Sequence, residues 1–506
     1  MIAVRSYATR FAHAFETNVR PFIKKGIDVA ASHPVAAGLL LGLVLRGVWI
    51  IHAQTVPIND YKWYYERAID IAQGKGYTVE GIPTAYWPVG YPAFLSIFFY
   101  LLGPSLHLAS ALNVLLSVGV LWLSYDIAKH VFESRRIGML TLLGLTVYPS
   151  QVFYCSLVSS EVLFLFLIML GVRILISEAR FPTKQLIAGV VFGIAVLVKP
   201  IAVLAPLFCF IQRSPGQQKN GGTVFVFKRI AVSYAGVFLL VAPWLLRNYE
   251  LFGDPFISTN GGINFLIGNN PDANGRYFWS SKVGELIGSD GAADVVNSIT
   301  NPRIEVIRDR KALQYGLNFV KQNPWAVLKM VPKRFAYLYN SDHDGLGLSP
   351  NSNRGTGMLS WGSQVYMQLA DKYHVFVFTV FCFSVLYLFP RKWTIPGATF
   401  QFILLFVVTV MLIYVFGPRK IPLTLTLLLG GFTIINEVFL RRRPSLSGFQ
   451  LFGLAIVAGL TGFYLLFFGQ ARFHFPLVPF MVMYDVAIVG SMLIPADQSH
   501  LRNANL

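Results

Sequence analysis

The chain has 506 residues, of which 55% are hydrophobic and 13% charged, where soluble proteins average about 45–50% and about 25%. That balance excludes an ordinary cytosolic enzyme. The formal charge of +18, from 42 Lys and Arg against 24 Asp and Glu, would point to nucleic acid in a soluble chain, whereas in a membrane chain topology can account for it.

In chain order, a basic segment over 1–32 precedes an apolar run at 33–53. The run is long and has no small-residue cleavage pattern near its end, so a retained anchor is expected and not a cleaved signal peptide. Further runs near the ~20 residues needed to cross a ~30 Å hydrocarbon core follow at 106–128, 137–154, 159–176, 185–210, 230–246, 373–390, 398–417, 422–440, 449–468 and 477–494. Lys199-Pro200 interrupts 185–210, because proline removes a helix hydrogen bond and the ammonium resists lipid. That run is predicted to form a hairpin of two short helices, which makes the chain an all-α polytopic membrane protein with about twelve transmembrane helices.

With a cytoplasmic N-terminus, the inside segments carry 20 Lys or Arg and the short outer segments 54–92, 416–422 and 469–476 carry six, as the positive-inside rule requires. Both termini are then cytoplasmic in a plasma (bacterial inner) membrane, and nucleic acid is not needed as a partner. The expected organisation is an N-terminal membrane module over 33–246, an outer loop or small subdomain over 247–371, a C-terminal membrane module over 372–494 and a tail over 495–506. Cys155, Cys209 and Cys382 all lie in apolar segments and read as small hydrophobes, not as a disulfide framework.

The first outer loop, 54–105, is expected to hold two interfacial helices, at 60–72 and 92–102. Its aromatics, Trp63, Tyr64, Tyr65, Tyr86 and Trp87, read as an interfacial belt, with stacking on a sugar or contact with a polyprenyl chain as the alternative. The large loop 247–371 has 12 basic and 11 acidic residues, and its helical spacing at 303–320 lies between turn-rich stretches at 253–275 and 340–358.

Ionisable groups near span ends are costly unless paired, wetted or used. Asp60, Glu161, Lys199, Arg247 and Arg472, with His474 beside the last, all fall at the outer ends of predicted spans. Two carboxylates and three cations suit group transfer from a phosphate-linked donor: a carboxylate accepts the proton of an attacking hydroxyl or amine, and Lys or Arg stabilises the departing phosphate. No spacing for a P-loop, a zincin, a nucleophile elbow or a CxxC site is present to indicate a metal or a rival chemistry. Each residue also has a plainer reading: Asp60 and Glu161 as helix-start residues, Lys199 as a snorkelling side chain, Arg247 and Arg472 as interface anchors, His474 as a structural or substrate-adjacent group. Arg46 and Arg173 are expected to snorkel or pair.

At these residues the chain resembles the polytopic glycosyltransferases of the GT-C fold, in particular the bacterial group related to aminoarabinose transferases and protein O-mannosyltransferases. The resemblance rests on Asp60 followed by aromatics, Tyr86-Trp87-Pro88-Val89-Gly90-Tyr91-Pro92, Ser159-Ser160-Glu161, Lys199-Pro200, Pro243-Trp244-Leu245-Leu246-Arg247-Asn248, Gly268-Asn269-Asn270-Pro271 and Phe468 to Pro476, in that order. It implies inverting sugar transfer from a polyprenyl-phosphate-linked donor to a lipid, glycan or protein acceptor on the extracytoplasmic face, with that lipid-linked sugar as donor substrate. Asp60 would be the base and Glu161 the second acidic residue. Lys199, Arg247 and Arg472 would hold the donor phosphate, with Arg419 competing for that role because 416–423 echoes the last motif. Tyr61, Tyr64, Tyr86, Trp87, Asn248, Asn269, Asn270 and His474 would lie beside the substrate. Asn59-Asp60 replaces the Asp-Glu pair of O-mannosyltransferases, and Glu161 stands where Asp is common, which leaves the acceptor open. A transporter or flippase of lipid-linked substrates is the main rival, and it predicts an inverted repeat that the sequence does not show.

Overall fold

The computed structural model describes residues 32–53, 55–211, 223–289, 301–347, 357–388, 411, 412, 415 and 448–492. The segment before residue 32, the predicted span 422–440, most of 398–417, the tail and Arg419 lie outside the described residues.

The chain enters through α1 (Pro34–His52), which has proline in its first turn, where the missing N–H costs nothing. Its Arg46 is fully buried, donating to Ser117 Oγ at 2.7 Å and to the carbonyls of Gly42, Leu145 and Thr146. The two helices expected in the first outer loop are α2 (Asn59–Ala72) and α3 (Gly90–Leu102). Between them, β1 (Thr78–Val79) pairs antiparallel with β2 (Ile82–Pro83). Glu80 and Gly81 turn the hairpin with φ of 50° and 82°, the left-handed pair a two-residue turn of this twist needs.

Four elements follow: α4 (Leu106–Val131), α5 (Arg135–Thr146), the short α6 (Pro149–Phe153) and α7 (Glu161–Leu175). Ser105 and Ser134 cap α4 and α5 by accepting N–H bonds from Leu108 and Ile137. Arg173 of α7 pairs with Asp126 of α4.

The break predicted at Lys199 is present: α8 (Thr183–Val198) stops there, Lys199 is extended, and a 3-10 helix runs over Pro200–Ile211. The second arm is thus not α-helical, and it packs back on α8. Next, α9 (Thr223–Phe252) lies against α8 at very close range. A Cβ on Gly189 would sit 2.1 Å from the Ser233 carbonyl oxygen, and one on Gly236 2.5 Å from that of Leu186. Small residues substitute for the missing hydrophobic drive when helices associate in lipid.

The described residues of the segment 247–371 contribute α10 (Gly261–Gly268), α11 (Ser281–Ile287), α12 (Pro302–Gln322), α13 (Pro324–Tyr339) and α14 (Asp344–Gly347). The C-terminal part contributes α15 (Gly357–Leu388), α16 (Gly448–Tyr464) and α17 (Val478–Met492), with 3-10 turns over Ala471–Phe473 and Phe475–Leu477 leading into α17. The 3-10 helix meets α16, while α17 lies against α5 and α15, so the last helices close onto the first half of the chain.

Among the described residues, three helices are long and apolar enough to cross a membrane: Pro34–His52, Leu106–Val131 and Val224–Phe252. A fourth exists if Arg135–Thr146 and Pro149–Ser156, bent by 64°, form one span. Gly90–Leu102, Thr183–Val198 and Gly453–Tyr464 are apolar but shorter. A protein with several apolar helices is what the hydropathy predicts; the number twelve is not reached by these criteria, because several predicted spans are bent, broken or outside the described residues.

Candidate active site

Asp60 is delivered by the first turn of α2, where a carboxylate favours the helix dipole. Ile58 is extended and Asn59 has φ 50°, a left-handed turn that asparagine tolerates better than most residues. Asp60 Oδ2 accepts from Arg472 Nη1 at 2.8 Å, closing a contact across 412 residues. Arg472 itself sits in the 3-10 turn before α17, and its backbone N–H donates to Asp344 Oδ2 at 3.2 Å. Burial disfavours the charge on Arg472, but the carboxylates of Asp60 and Glu161 outweigh it and hold the guanidinium protonated well above its ordinary range.

A second ion pair lies in the same cluster. Glu161 opens α7 and is buried, and its Oε1 accepts from Lys199 Nζ at 2.8 Å. The helix break therefore has a use, because it leaves Lys199 at the end of α8 facing α7. Glu161 acts electrostatically on both Arg472 and Tyr61, which ties the two ion pairs together. Burial, then Glu161 and Asp60, push the Tyr61 phenol well above its usual range, so it stays a neutral hydroxyl.

Buried polar atoms of this region with no hydrogen-bond partner among the described residues include Tyr61 Oη, Tyr154 Oη, Ser159 Oγ, Glu161 Oε2, Gln470 Oε1 and Arg472 Nε. Buried polar atoms are normally paired. Unpaired donors and acceptors gathered around two ion pairs mark this region as the candidate site.

Tyr64 is buried and its electrostatic neighbours include Asp60, Glu161 and Arg472, so it stays with the cluster, while other candidates are bonded elsewhere. Arg247 donates to the carbonyls of Thr84 at 3.0 Å and Tyr77 at 3.1 Å and to Asn248 Oδ1 at 2.8 Å, and it lies over the Trp244 ring. Its carboxylate neighbour is Glu305, not Asp60. Asn248 also donates to the Phe256 carbonyl, and the Asn269 and Asn270 side-chain amides donate to carbonyls of Phe265, Leu466, Leu266 and Ile267. The Asn269 oxygen accepts from Arg334 at 3.0 Å. Tyr86 and Trp87 pack edge-on against Trp63, and Tyr64 against Tyr91. Trp63, Tyr64 and Tyr86 are buried within the protein, so the expected interfacial belt is a core that anchors the first loop.

His474 is fully buried, with Nδ1 on the Leu338 carbonyl at 2.6 Å and Nε2 on Asp342 Oδ1 at 2.9 Å. Asp342, His374 and His474 bring a carboxylate and two imidazoles within 4.8 Å of one another, a set that invites a metal. The geometry does not fit one. The two rings stack at 4.2 Å with an 18° interplanar angle, so their nitrogen lone pairs lie in nearly parallel planes. His374 is likewise bonded at both nitrogens, to Tyr148 Oη at 2.9 Å and to the Tyr339 carbonyl at 3.0 Å. Asp342 and His474 are bonded to each other, and His374 only stacks on His474.

Sequence reasoning missed Asp342, Asp344, Tyr154 and Glu305. Glu305 accepts from Thr84 Oγ1 at 2.9 Å, the Ala85 N–H at 2.8 Å and Thr259 Oγ1, and burial raises its carboxyl against those donors. The one usable signal was Asp342-His343-Asp344, two carboxylates two residues apart inside a turn-rich stretch.

No family model and no curated protein matches the chain. Among solved structures, archaeal oligosaccharyltransferase AglB from Archaeoglobus fulgidus, in complex with an inhibitory peptide and a dolichol-phosphate, is similar over 94% of this chain and 52% of its own, at 13% identity and a TM-score of 0.44. ArnT from Cupriavidus metallidurans bound to undecaprenyl phosphate is similar over 92% of this chain and 78% of its own, at 14% identity and a TM-score of 0.36. The chain spans about half the length of the oligosaccharyltransferase it matches. At such scores these likenesses decide nothing about chemistry, which rests on the site's own residues.

Proposed function

We propose that the protein is a membrane glycosyltransferase that moves a sugar, with inversion, from a polyprenyl-phosphate donor to an acceptor on the outer face. The observation that carries this reading is the Asp60–Arg472 pair beside the Glu161–Lys199 pair, with unpaired buried polar atoms around them. Two cations fit a phosphate, and a carboxylate with one oxygen free of the pair fits a base.

In the proposed reaction the acceptor hydroxyl or amine attacks the anomeric carbon from the face opposite the phosphate. The bond from that carbon to the phosphate oxygen breaks as the new bond forms. Asp60 takes the acceptor's proton, and the electron pair of the broken bond leaves on the phosphate, which Arg472 and Lys199 neutralise. A phosphate leaving group tolerates that charge, so no general acid is required. Donor binding also exchanges partners: as Arg472 turns to the phosphate, Asp60 Oδ2 loses its cation and becomes a better base. Arg247, bonded to the carbonyls of the first loop, braces the loop that carries Asp60.

Asp60→Asn tests the assignment. The expected result is a loss of sugar transfer of about 10²–10⁴-fold with the donor still bound. Transfer at the wild-type rate would overturn the mechanism, and movement of intact donor across the membrane without sugar transfer would favour a transporter instead.

A further inference from the structure

Two segments far apart in sequence meet in an antiparallel pair of contacts. Asp342 Oδ1 lies 2.9 Å from His474 Nε2, and Asp344 Oδ2 accepts from the Arg472 backbone N–H at 3.2 Å. Each segment places its two groups two residues apart, 342 with 344 and 472 with 474, so the contacts form two rungs that fix one short turn against the other. The turn so fixed carries the guanidinium that meets Asp60.

The rungs are themselves held from behind. Asp371 of α15 accepts from the Asp342 N–H at 2.9 Å and lies 2.9 Å from His343 Nδ1. His474 is clamped at its other nitrogen by the Leu338 carbonyl and is stacked on His374 and Tyr339. His474 Nδ1 faces a carbonyl oxygen, which can only accept, so that nitrogen is the donor. Asp342 is 4% exposed and His474 0%, so neither has water to replace its partner, and losing one leaves the other buried and unsatisfied.

We propose that Asp342, Asp344 and His474 are positioning residues that set Arg472 against Asp60 and, through it, against the donor phosphate. The proposal rests on Arg472 as a phosphate ligand for its second half only; the Asp60–Arg472 contact is common to both. The feature that separates positioning from plain support of the fold is dependence on Arg472: an effect transmitted through that side chain disappears once it is gone.

The test is a set of double-mutant cycles on the full-length protein in lipid nanodiscs. Thermal unfolding of Asp60→Asn, Arg472→Gln and the double variant measures the coupling between those two residues, and the cycle is repeated in His474→Gln and in Asp344→Asn backgrounds. The coupling is expected to fall by more than half in both. With undecaprenyl phosphate as the binding probe, His474→Gln is expected to bind roughly tenfold more weakly, yet to change nothing when Arg472→Gln is already present. Unchanged Asp60–Arg472 coupling in both backgrounds, or additive losses in probe binding, would overturn the proposal. If His474→Gln does not fold, the half-buried Asp344 arm decides alone. Failure of the wild type to bind undecaprenyl phosphate would remove the donor reading, while the unfolding cycles still decide the positioning.

Discussion

The segment 54–105 touches two charged clusters that are wired differently. At Glu305 and Arg247, each charge is met by groups that do not titrate: Thr84, Ala85 and Thr259 around the carboxylate, and the carbonyls of Thr84 and Tyr77 with Asn248 around the guanidinium. At Asp60 and Glu161, charges are met by opposite charges, Arg472 and Lys199, and polar atoms are left over. Backbone and hydroxyl partners cannot leave, so the first arrangement fixes a loop. Ion pairs can exchange partners with an incoming anion, so the second can bind and act.

The largest effect that would break this comparison is on stability. Glu305→Ala leaves two hydroxyls and an N–H buried without an acceptor, and is expected to cost about 3 kcal/mol in unfolding free energy while folded molecules keep most of their transfer rate. Denaturant or thermal unfolding of the purified protein measures it, and a variant as stable as wild type would mean the cluster is not a brace. Arg472→Gln is expected to weaken undecaprenyl phosphate binding by about 2 kcal/mol, roughly 30-fold, with Arg247→Gln within about threefold of wild type. Equal losses at the two arginines would erase the distinction between the clusters.

The smallest effect concerns pH. Burial raises the Asp309 carboxyl from 3.8 to about 6, against the N–H groups of Gly262 and Ile263 that favour its charge. Between those values the folded state binds more protons than the unfolded state, so this group's contribution to stability falls as pH rises through the window and is level above it. The Asp309→Asn variant should flatten that part of a melting-temperature profile; a profile unchanged by the substitution would show that Asp309 is not the group responsible.

Much of the architecture was legible because apolar runs and breakers act locally. Hydropathy located α1, α4 and α9, interfacial composition located α2 and α3, and Lys199-Pro200 marked the helix break. The bend after Thr146 falls at Pro149, a breaker inside the run 137–154 that a hydropathy reading nevertheless passes over as one span. Aromatic composition also could not separate a lipid-facing belt from a core, and Trp63, Tyr64 and Tyr86 proved buried. Within the site, charge scarcity brought out Asp60, Glu161, Lys199 and Arg472, which the fold brings together. The same rule could not show that Arg247 spends its donors on two carbonyls more than 160 residues away. Nor could it pair 342–344 with 472–474, because no local period records a contact across about 130 residues.

Turnover of a defined donor tests the central claim most directly. Purified wild-type protein in nanodiscs, given undecaprenyl-phosphate-linked sugars with an envelope lipid, glycan or peptide acceptor, should release undecaprenyl phosphate and form a product of inverted anomeric configuration, both abolished by Asp60→Asn. Wild-type protein that binds the donor but never cleaves it under any acceptor, or a product with retained configuration, would contradict the account.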